Sequence, residues 1–124
     1  MQNSMFEASE GWEGSIYRVR TSSFNVAFVI GAGEDPDEID TVDVEVTLAD
    51  GSCWSATMFT LAEVERLMAR WAVTGEYGGG SYFWCSDGVI VREPGVTNMT
   101  MVLAQLYEDG QLTDVLERLD RAEE

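Results

Sequence analysis

The sequence predicts an α+β fold with a largely antiparallel sheet, in the element order ββββαββαα, and with the helices packed on one face. Alternating apolar runs separated by short polar turns indicate successive hairpins. A strongly marked helix start at Thr60 interrupts the strands, and apolar residues recur at helical spacing near the C-terminus. The 124 residues fit a single domain, because one hydrophobic core typically spans ~100 to 150 residues.

The first half of the chain begins with a loose arm, predicted over residues 1–14. Two strands follow at Ile16–Arg20 and Phe24–Ile30, joined by a polar turn. The second strand is apolar on both faces, which predicts a central strand covered on both sides. Residues 31–40 are crowded with carboxylates and contain a proline, so they are expected to form an exposed loop without regular structure.

The strand Thr41–Leu48 alternates between apolar and polar residues, and the turn Ala49–Gly51 leads into its hairpin partner. Two registers are open. A two-residue loop sets the valines beside Cys53, whereas a three-residue loop with a left-handed Gly51 sets them beside Trp54, Ala56 and Met58. The second is preferred because it makes one face of the hairpin wholly apolar, and it leaves Cys53 on the polar face.

The helix that follows is predicted from its ends. Thr60 and Glu63 match a capping box, and Gly75 is placed to end the helix in the left-handed conformation. The apolar stripe lies at helical spacing and comprises Val64, Leu67, Met68 and Trp71.

The last third of the chain predicts a second hairpin and two helices. Residues 82–85 and 89–92 are expected to pair across Ser86–Gly88. Apolar residues at helical spacing then indicate a helix over residues 99–107, which Gly110 ends, and another helix that begins at Leu112.

Composition excludes several classes of function. The chain has 23 acidic against 7 basic residues and a formal net charge of -16. Such a field repels nucleic acid and anionic membranes, and it attracts basic proteins or cations. The chain has no His and no Lys. It therefore lacks an imidazole base or metal ligand, a Schiff-base amine and a phosphate-loop lysine.

The remaining motifs do not predict a catalytic residue, a metal site or a cofactor. Gly78–Gly80 is followed by a strand pattern, whereas a phosphate loop needs a helix there. The carboxylates of residues 34–40 do not have the spacing of a calcium-binding EF-hand. Cys85 has no histidine to activate it, so it is interpreted as a small buried apolar residue.

The beginning of the chain has no basic and apolar pattern of a signal peptide, and ~18 consecutive apolar residues occur nowhere. A cytoplasmic location is therefore expected, with Cys53 and Cys85 as free thiols.

The distribution of charge is the feature that points to a function. No basic residue lies between Arg20 and Arg66, so this window predicts a contiguous, uncompensated negative surface. Such a surface either maintains solubility or steers a positively charged partner. The predicted partner-binding residues are Glu34, Asp35, Asp37, Glu38, Asp40, Asp43, Glu45 and Asp50.

Part of the chain also resembles small bacterial α+β proteins of actinobacterial type, which are similar to toxin-immunity proteins. The residues that carry the resemblance are Thr47–Gly51, Ser55–Thr60, Thr74–Glu76 and Gly80–Trp84. The resemblance implies an inhibitor and transfers no catalytic residue.

Three hypotheses for the function follow. The first is a non-enzymatic immunity or antitoxin protein that occludes a basic partner, such as a nuclease-type toxin. The second is an accessory or scaffold subunit that binds through an apolar strand edge or through residues 82–84. The third is a carboxylate-based hydrolase, which would need a pocket holding a carboxyl pair with raised pKa values.

Overall fold

The computed structural model describes residues 10–31 and 33–119. The α+β fold is confirmed, with a largely antiparallel sheet of seven strands and four helical segments in the described residues. Within these ranges, no helix has the length and apolar character needed to cross a membrane. The strands are β1 (Glu10–Glu13), β2 (Ile16–Arg20), β3 (Phe24–Val29), β4 (Thr41–Leu48), β5 (Cys53–Thr60), β6 (Gly88–Val91) and β7 (Glu117–Leu119). The helical segments are α1 (Leu61–Thr74), α2 (Glu76–Gly80), α3 (Val96–Glu108) and α4 (Leu112–Val115).

The strands lie in the order β1-β2-β3-β4-β5-β6, and each consecutive pair up to β5 is antiparallel. The preferred register of the β4–β5 hairpin is confirmed. Val42, Val44 and Val46 lie opposite Met58, Ala56 and Trp54. Gly51 has the left-handed φ of 88° that this loop requires.

The second predicted hairpin is wrong. Residues 82–85 form no strand, and β6 instead pairs in parallel with the end of β5. A parallel pair needs a crossover, which α1 and α2 supply between β5 and β6. Residues 82–85 pair with no strand, and Phe83 instead packs against two aromatic rings. Its ring centroid lies 5.0 Å from that of Phe59 and 6.0 Å from that of Trp71.

The core lies between α3, α4 and one face of the sheet. It comprises apolar residues of β2 to β6 packed against Met99, Leu103 and Leu112 of these helices. The opposite face remains open at β3, where Val29 is 47% exposed. The prediction that this strand is covered on both sides is therefore wrong, since the apolar Ala27 and Val29 lie on the uncovered face.

Helix α1 begins and ends where predicted. Thr60 is the N-cap and its hydroxyl accepts a hydrogen bond from the Glu63 N–H (3.0 Å). Gly75, at φ 91°, ends the helix. The capping box is only half formed, because the N–H of Thr60 donates to the carbonyl oxygen of Asp40 instead of to Glu63.

Both ends of the described chain differ from expectation. Residues 10–13, predicted as part of a loose arm, form β1, and Trp12 packs edge-on against Tyr17 at 5.3 Å. Residues 1–9 of that arm lie outside the described residues. The last predicted helix stops at Val115, because Glu117–Leu119 pair with the part of β5 that β6 leaves open. Arg118 then lies over the ring of Trp54, 5.4 Å from its centroid.

Candidate partner-binding surface

The acidic loop between β3 and β4 has a defined shape although it lacks regular structure, as predicted. The N–H of Gly95 donates to the carbonyl oxygen of Ile39 (3.1 Å), and the N–H of Val96 donates to that of Pro36 (2.8 Å). The loop approaches Gly95 so closely that a Cβ there would lie 2.6 Å from the Asp37 carbonyl oxygen. The loop is thereby held against the start of α3.

The carboxylates of this loop border an open hollow of about 450 Å³, here called the acidic hollow. Its lining residues are Glu34, Asp35, Glu38, Ile39, Asp40, Thr41 and Glu63. Four of the predicted residues therefore come together, and α1 contributes a fifth carboxylate. Sequence reasoning counted Glu63 in the acidic window between Arg20 and Arg66 but did not name it among the partner-binding residues. The confirmed β4–β5 register contains the missing signal, because it pairs Thr41 with Phe59 and thus brings the start of α1 beside Asp40.

Arg66 partly compensates the acidic hollow. Its Nη2 donates to Asp40 Oδ2 (2.9 Å) and to Glu63 Oε1 (2.7 Å). Hydrogen bonding to Glu63 raises the pKa of the guanidinium, and Asp40 raises it further. The prediction that the negative surface is uncompensated is therefore wrong at Asp40. The Oδ1 of Asp40 also accepts a hydrogen bond from the Thr60 hydroxyl (3.1 Å). The exposed carboxylates of Glu34, Asp35 and Glu38 remain available to a partner.

Asp37 does not line the acidic hollow. Burial raises the pKa of Tyr17, and the nearby carboxylates of Glu10 and Asp37 raise it further. The carboxylate of Asp37 therefore disfavours ionisation of Tyr17 in β2.

Asp43 and Glu45 lie on the open face of β4, as the alternation predicted. Asp43 accepts a hydrogen bond from the Thr57 hydroxyl (2.8 Å). Glu45 lines a shallow depression that also contains Arg18 and Asn25. On this face the carboxylates therefore lie among a cationic side chain, Arg18, and neutral polar side chains such as Asn25.

Asp50 lies at the other end of β4, in the hairpin loop to β5. At ~3.3 Å per residue, the length of β4 separates it from the acidic hollow by roughly 25 Å. Its Oδ1 accepts from the Ser52 hydroxyl (2.6 Å) and N–H (2.9 Å), and these hydrogen bonds lower the pKa of Asp50. Strand direction thus carries Asp50 away from the acidic hollow, to the other end of β4.

A second surface lies where α2 leads into β6. Tyr82, Trp84 and Ile90 are 53%, 66% and 47% exposed and are here called the aromatic surface. Beneath it, Phe83 is half-buried between Phe59 and Trp71.

Cys85 follows the aromatic surface and is half-buried. Burial raises the pKa of its thiol, and the carboxylates of Asp87 and Asp43 raise it further. This agrees with the interpretation of Cys85 as an unactivated thiol, because the neutral form is favoured.

Neither a metal site nor a similar protein shows what these two surfaces bind. In residues 10–31 and 33–119, no group of three or more Cys, Asp or Glu side chains could hold a metal ion. No family model, curated protein or solved structure matches the chain. The function must therefore be inferred from the geometry of the two surfaces.

Proposed function

We propose that this protein is a non-enzymatic acidic binding protein of the immunity or antitoxin type, which acts in the cytoplasm. It occludes a basic partner protein, such as a nuclease-type toxin, by covering the cationic surface with which that partner binds phosphates. The observation that carries the proposal is the acidic hollow, in which two separate parts of the chain place five carboxylates around one opening.

Charge complementarity supports this proposal. Like charges that are held together destabilise the free protein, and a cationic partner relieves their repulsion on binding. Arg66 bonds Asp40 and Glu63, whereas Glu34 and Glu38 project from an exposed loop. Guanidinium and ammonium groups of a partner can therefore enter the acidic hollow without displacing an internal ion pair.

The openness of the acidic hollow favours binding over chemistry. A carboxyl group with a raised pKa needs burial or a closely placed second carboxylate in a site that excludes water. Glu34, Asp35 and Glu38 are exposed to solvent. The hydrolase hypothesis has less support than a binding function.

The scaffold hypothesis is favoured by a different observation, the exposure of Tyr82 and Trp84. Aromatic residues of this kind often contribute most of the binding energy at the centre of an interface. Binding through them alone would be insensitive to salt, which separates this hypothesis from the first.

The test is a double charge reversal, Glu34→Lys with Glu38→Lys. Its matched control is Glu108→Lys with Asp114→Lys, which changes the net charge equally at exposed positions of α3 and α4. The probe is the basic protein, among those encoded by the neighbouring genes of the source genome, that binds the wild-type protein; it is purified and is called the toxin below. Association rates are measured at ~0.1 M and ~1 M salt, between which the Debye length falls from about 10 Å to about 3 Å.

We expect the double reversal at the acidic hollow to slow association at least about tenfold at low salt, because charge steering raises association rates by ~10 to 10³. The control double variant should retain most of the wild-type association rate. High salt should reduce the difference in association rate between the wild type and the double reversal at the acidic hollow. Wild-type protein should also rescue the growth of cells that express the toxin. An equal effect of the two double variants, or binding that is unchanged in ~1 M salt, would refute the electrostatic proposal.

A further inference from the structure

Strand β6 has one free edge in the described part of the chain. The N–H of Thr57 donates to the carbonyl oxygen of Asp87 (3.1 Å), and Thr57 lies opposite Gly88 in the register. Backbone polar groups of successive strand residues point to opposite sides. The backbone groups of residues 87, 89 and 91 therefore face β5. The N–H and C=O of Ile90 and the C=O of Gly88 face the free edge, whereas the N–H of Gly88 donates to the Cys85 carbonyl oxygen (3.3 Å).

None of the residues of this edge strand is charged or is a proline. Natural edges are blunted by short strands, lysines, prolines, bulges or inward-pointing charges, and of these β6 shows only the short length. The four residues of β6 are Gly-Val-Ile-Val, and the side chain of Ile90 is 47% exposed. Trp84, at 66% exposure, comes just before the turn in which the Gly88 N–H donates to the Cys85 carbonyl oxygen. Unpaired backbone and exposed apolar side chains thus occur together, as they do where an extended segment binds.

The end of β6 and the acidic hollow lie at the same end of the sheet, with the end of β5 between them. Val91, the last residue of β6, lies opposite Thr60, whose hydroxyl bonds Asp40. Four residues later, Gly95 is hydrogen-bonded to Ile39, which lines the acidic hollow. A segment laid along β6 would therefore have its apolar part beside Ile90 of the aromatic surface and one end at the end of the sheet where the carboxylates lie.

We propose that the free edge of β6 takes up an extended basic segment of the partner protein as an added strand. Backbone hydrogen bonds to the Gly88 carbonyl oxygen and to the N–H and C=O of Ile90 hold the segment. Its apolar side chains contact Ile90 and Trp84, and its basic side chains reach the acidic hollow. This inference rests on the proposed function for the basic character of the partner. A second copy of the chain is the less suitable occupant, because two molecules of net charge -16 repel each other.

The decisive variant is Ile90→Pro. Proline removes the outward N–H of residue 90 and leaves the bonds of β6 to β5 in place, as at edge positions where proline is tolerated. Ile90→Thr is the matched control, because it keeps the N–H and a β-branched side chain. The probe is a phage library that displays random 12-residue peptides, selected on immobilised wild-type protein and then synthesised. Tm values verify that both variants remain folded.

The selected peptides should combine β-branched or aromatic residues with Lys or Arg at one end. They should bind Ile90→Pro at least about tenfold more weakly than Ile90→Thr, since proline removes a hydrogen bond and obstructs the approaching strand. Hydrogen exchange of the wild-type protein adds a measurement that needs no variant. The amide of Ile90, which points to the free edge, should become protected when the peptide binds.

Three outcomes would overturn the inference: no peptide selected, selected peptides that are not basic, or equal binding to both variants without protection of the Ile90 amide. A dimer of the wild-type protein that Ile90→Pro dissociates would also overturn it, because a second copy would then occupy the edge. Loss of toxin binding on reversal at Glu34 and Glu38 but not in Ile90→Pro would leave the proposed function standing without the added strand. Loss of toxin binding in Ile90→Pro but not on reversal at Glu34 and Glu38 would contradict the basic character of the partner.

Discussion

The left-handed turn α2 sets the path of the chain from α1 towards the aromatic surface, and its glycines allow a sharp test. Tyr77 and Gly78 to Gly80 have positive φ values between 51° and 80°. The N–H of Ser81 donates to the carbonyl oxygen of Tyr77 (3.3 Å), and the Tyr77 ring lies on Trp71 with centroids 4.2 Å apart. Successive left-handed residues are rare because each side chain there costs ~1 to 2 kcal/mol.

Two neighbouring glycines of this turn share that conformation but differ in surroundings. A Cβ on Gly79 (φ 70°) would meet no atom within 4 Å, whereas one on Gly80 (φ 80°) would lie 2.1 Å from the carbonyl oxygen of Met68. Gly79→Ala should therefore lower the free energy of unfolding by about 1 kcal/mol. Strain in the left-handed alanine lowers it, and the smaller conformational entropy of the unfolded chain offsets part of that loss. Gly80→Ala adds a clash with helix backbone, which brings its expected cost to about 3 kcal/mol.

The assay is urea unfolding of both variants and the wild type. With an m-value of ~1 to 3 kcal/mol/M, a difference of about 2 kcal/mol separates the two midpoints by roughly 1 M. The m-values should agree among the three proteins, because the folded state is otherwise the same. Equal midpoints for Gly79→Ala and Gly80→Ala would refute the reasoning, since only the approach to Met68 distinguishes the two positions.

Two further predictions concern groups near the proposed interface. Thr60→Ala should lower the free energy of unfolding by about 2 kcal/mol, because the hydroxyl accepts from the Glu63 N–H and donates to Asp40. Thr60→Ser keeps the hydroxyl, so it should retain most of the wild-type free energy of unfolding in urea. A decrease equal to that of Thr60→Ala would contradict the role of the hydroxyl. Asp87→Asn should lower the raised pKa of Cys85, so that the thiolate forms at lower pH. Alkylation by iodoacetamide, measured against pH in a Cys53→Ser background, should shift to lower pH, and a shift to higher pH would contradict this.

The sequence predicted elements whose signals are local. The β4–β5 register follows from the alternation of the valines and from Gly51, and α1 begins and ends at residues whose chemistry caps a helix. The irregular acidic loop follows from its charge and its proline. These features depend on neighbouring residues, so the sequence pattern contains most of the information.

The features that sequence reasoning missed depend on which strand edge is available. The turn Ser86–Gly88 indicates a hairpin, but the same residues lead β6 onto the open edge of β5. Glu117–Leu119 pair with the other part of that edge instead of continuing α4. Competition for a free edge is settled by tertiary packing, which no short pattern records.

The β4–β5 hairpin also explains why the position of the acidic surface changed. Strand direction sends Asp50 to the far end of β4, while the register of the hairpin brings Glu63 and Arg66, at the start of α1, to Asp40. The crossover through α1 and α2 then places the end of β6 at the end of the sheet where the acidic hollow lies. An antiparallel hairpin with residues 82–85 would have covered the edge of β6. The topology that invalidated the predicted hairpin therefore leaves open the backbone edge to which we propose that an extended basic segment adds.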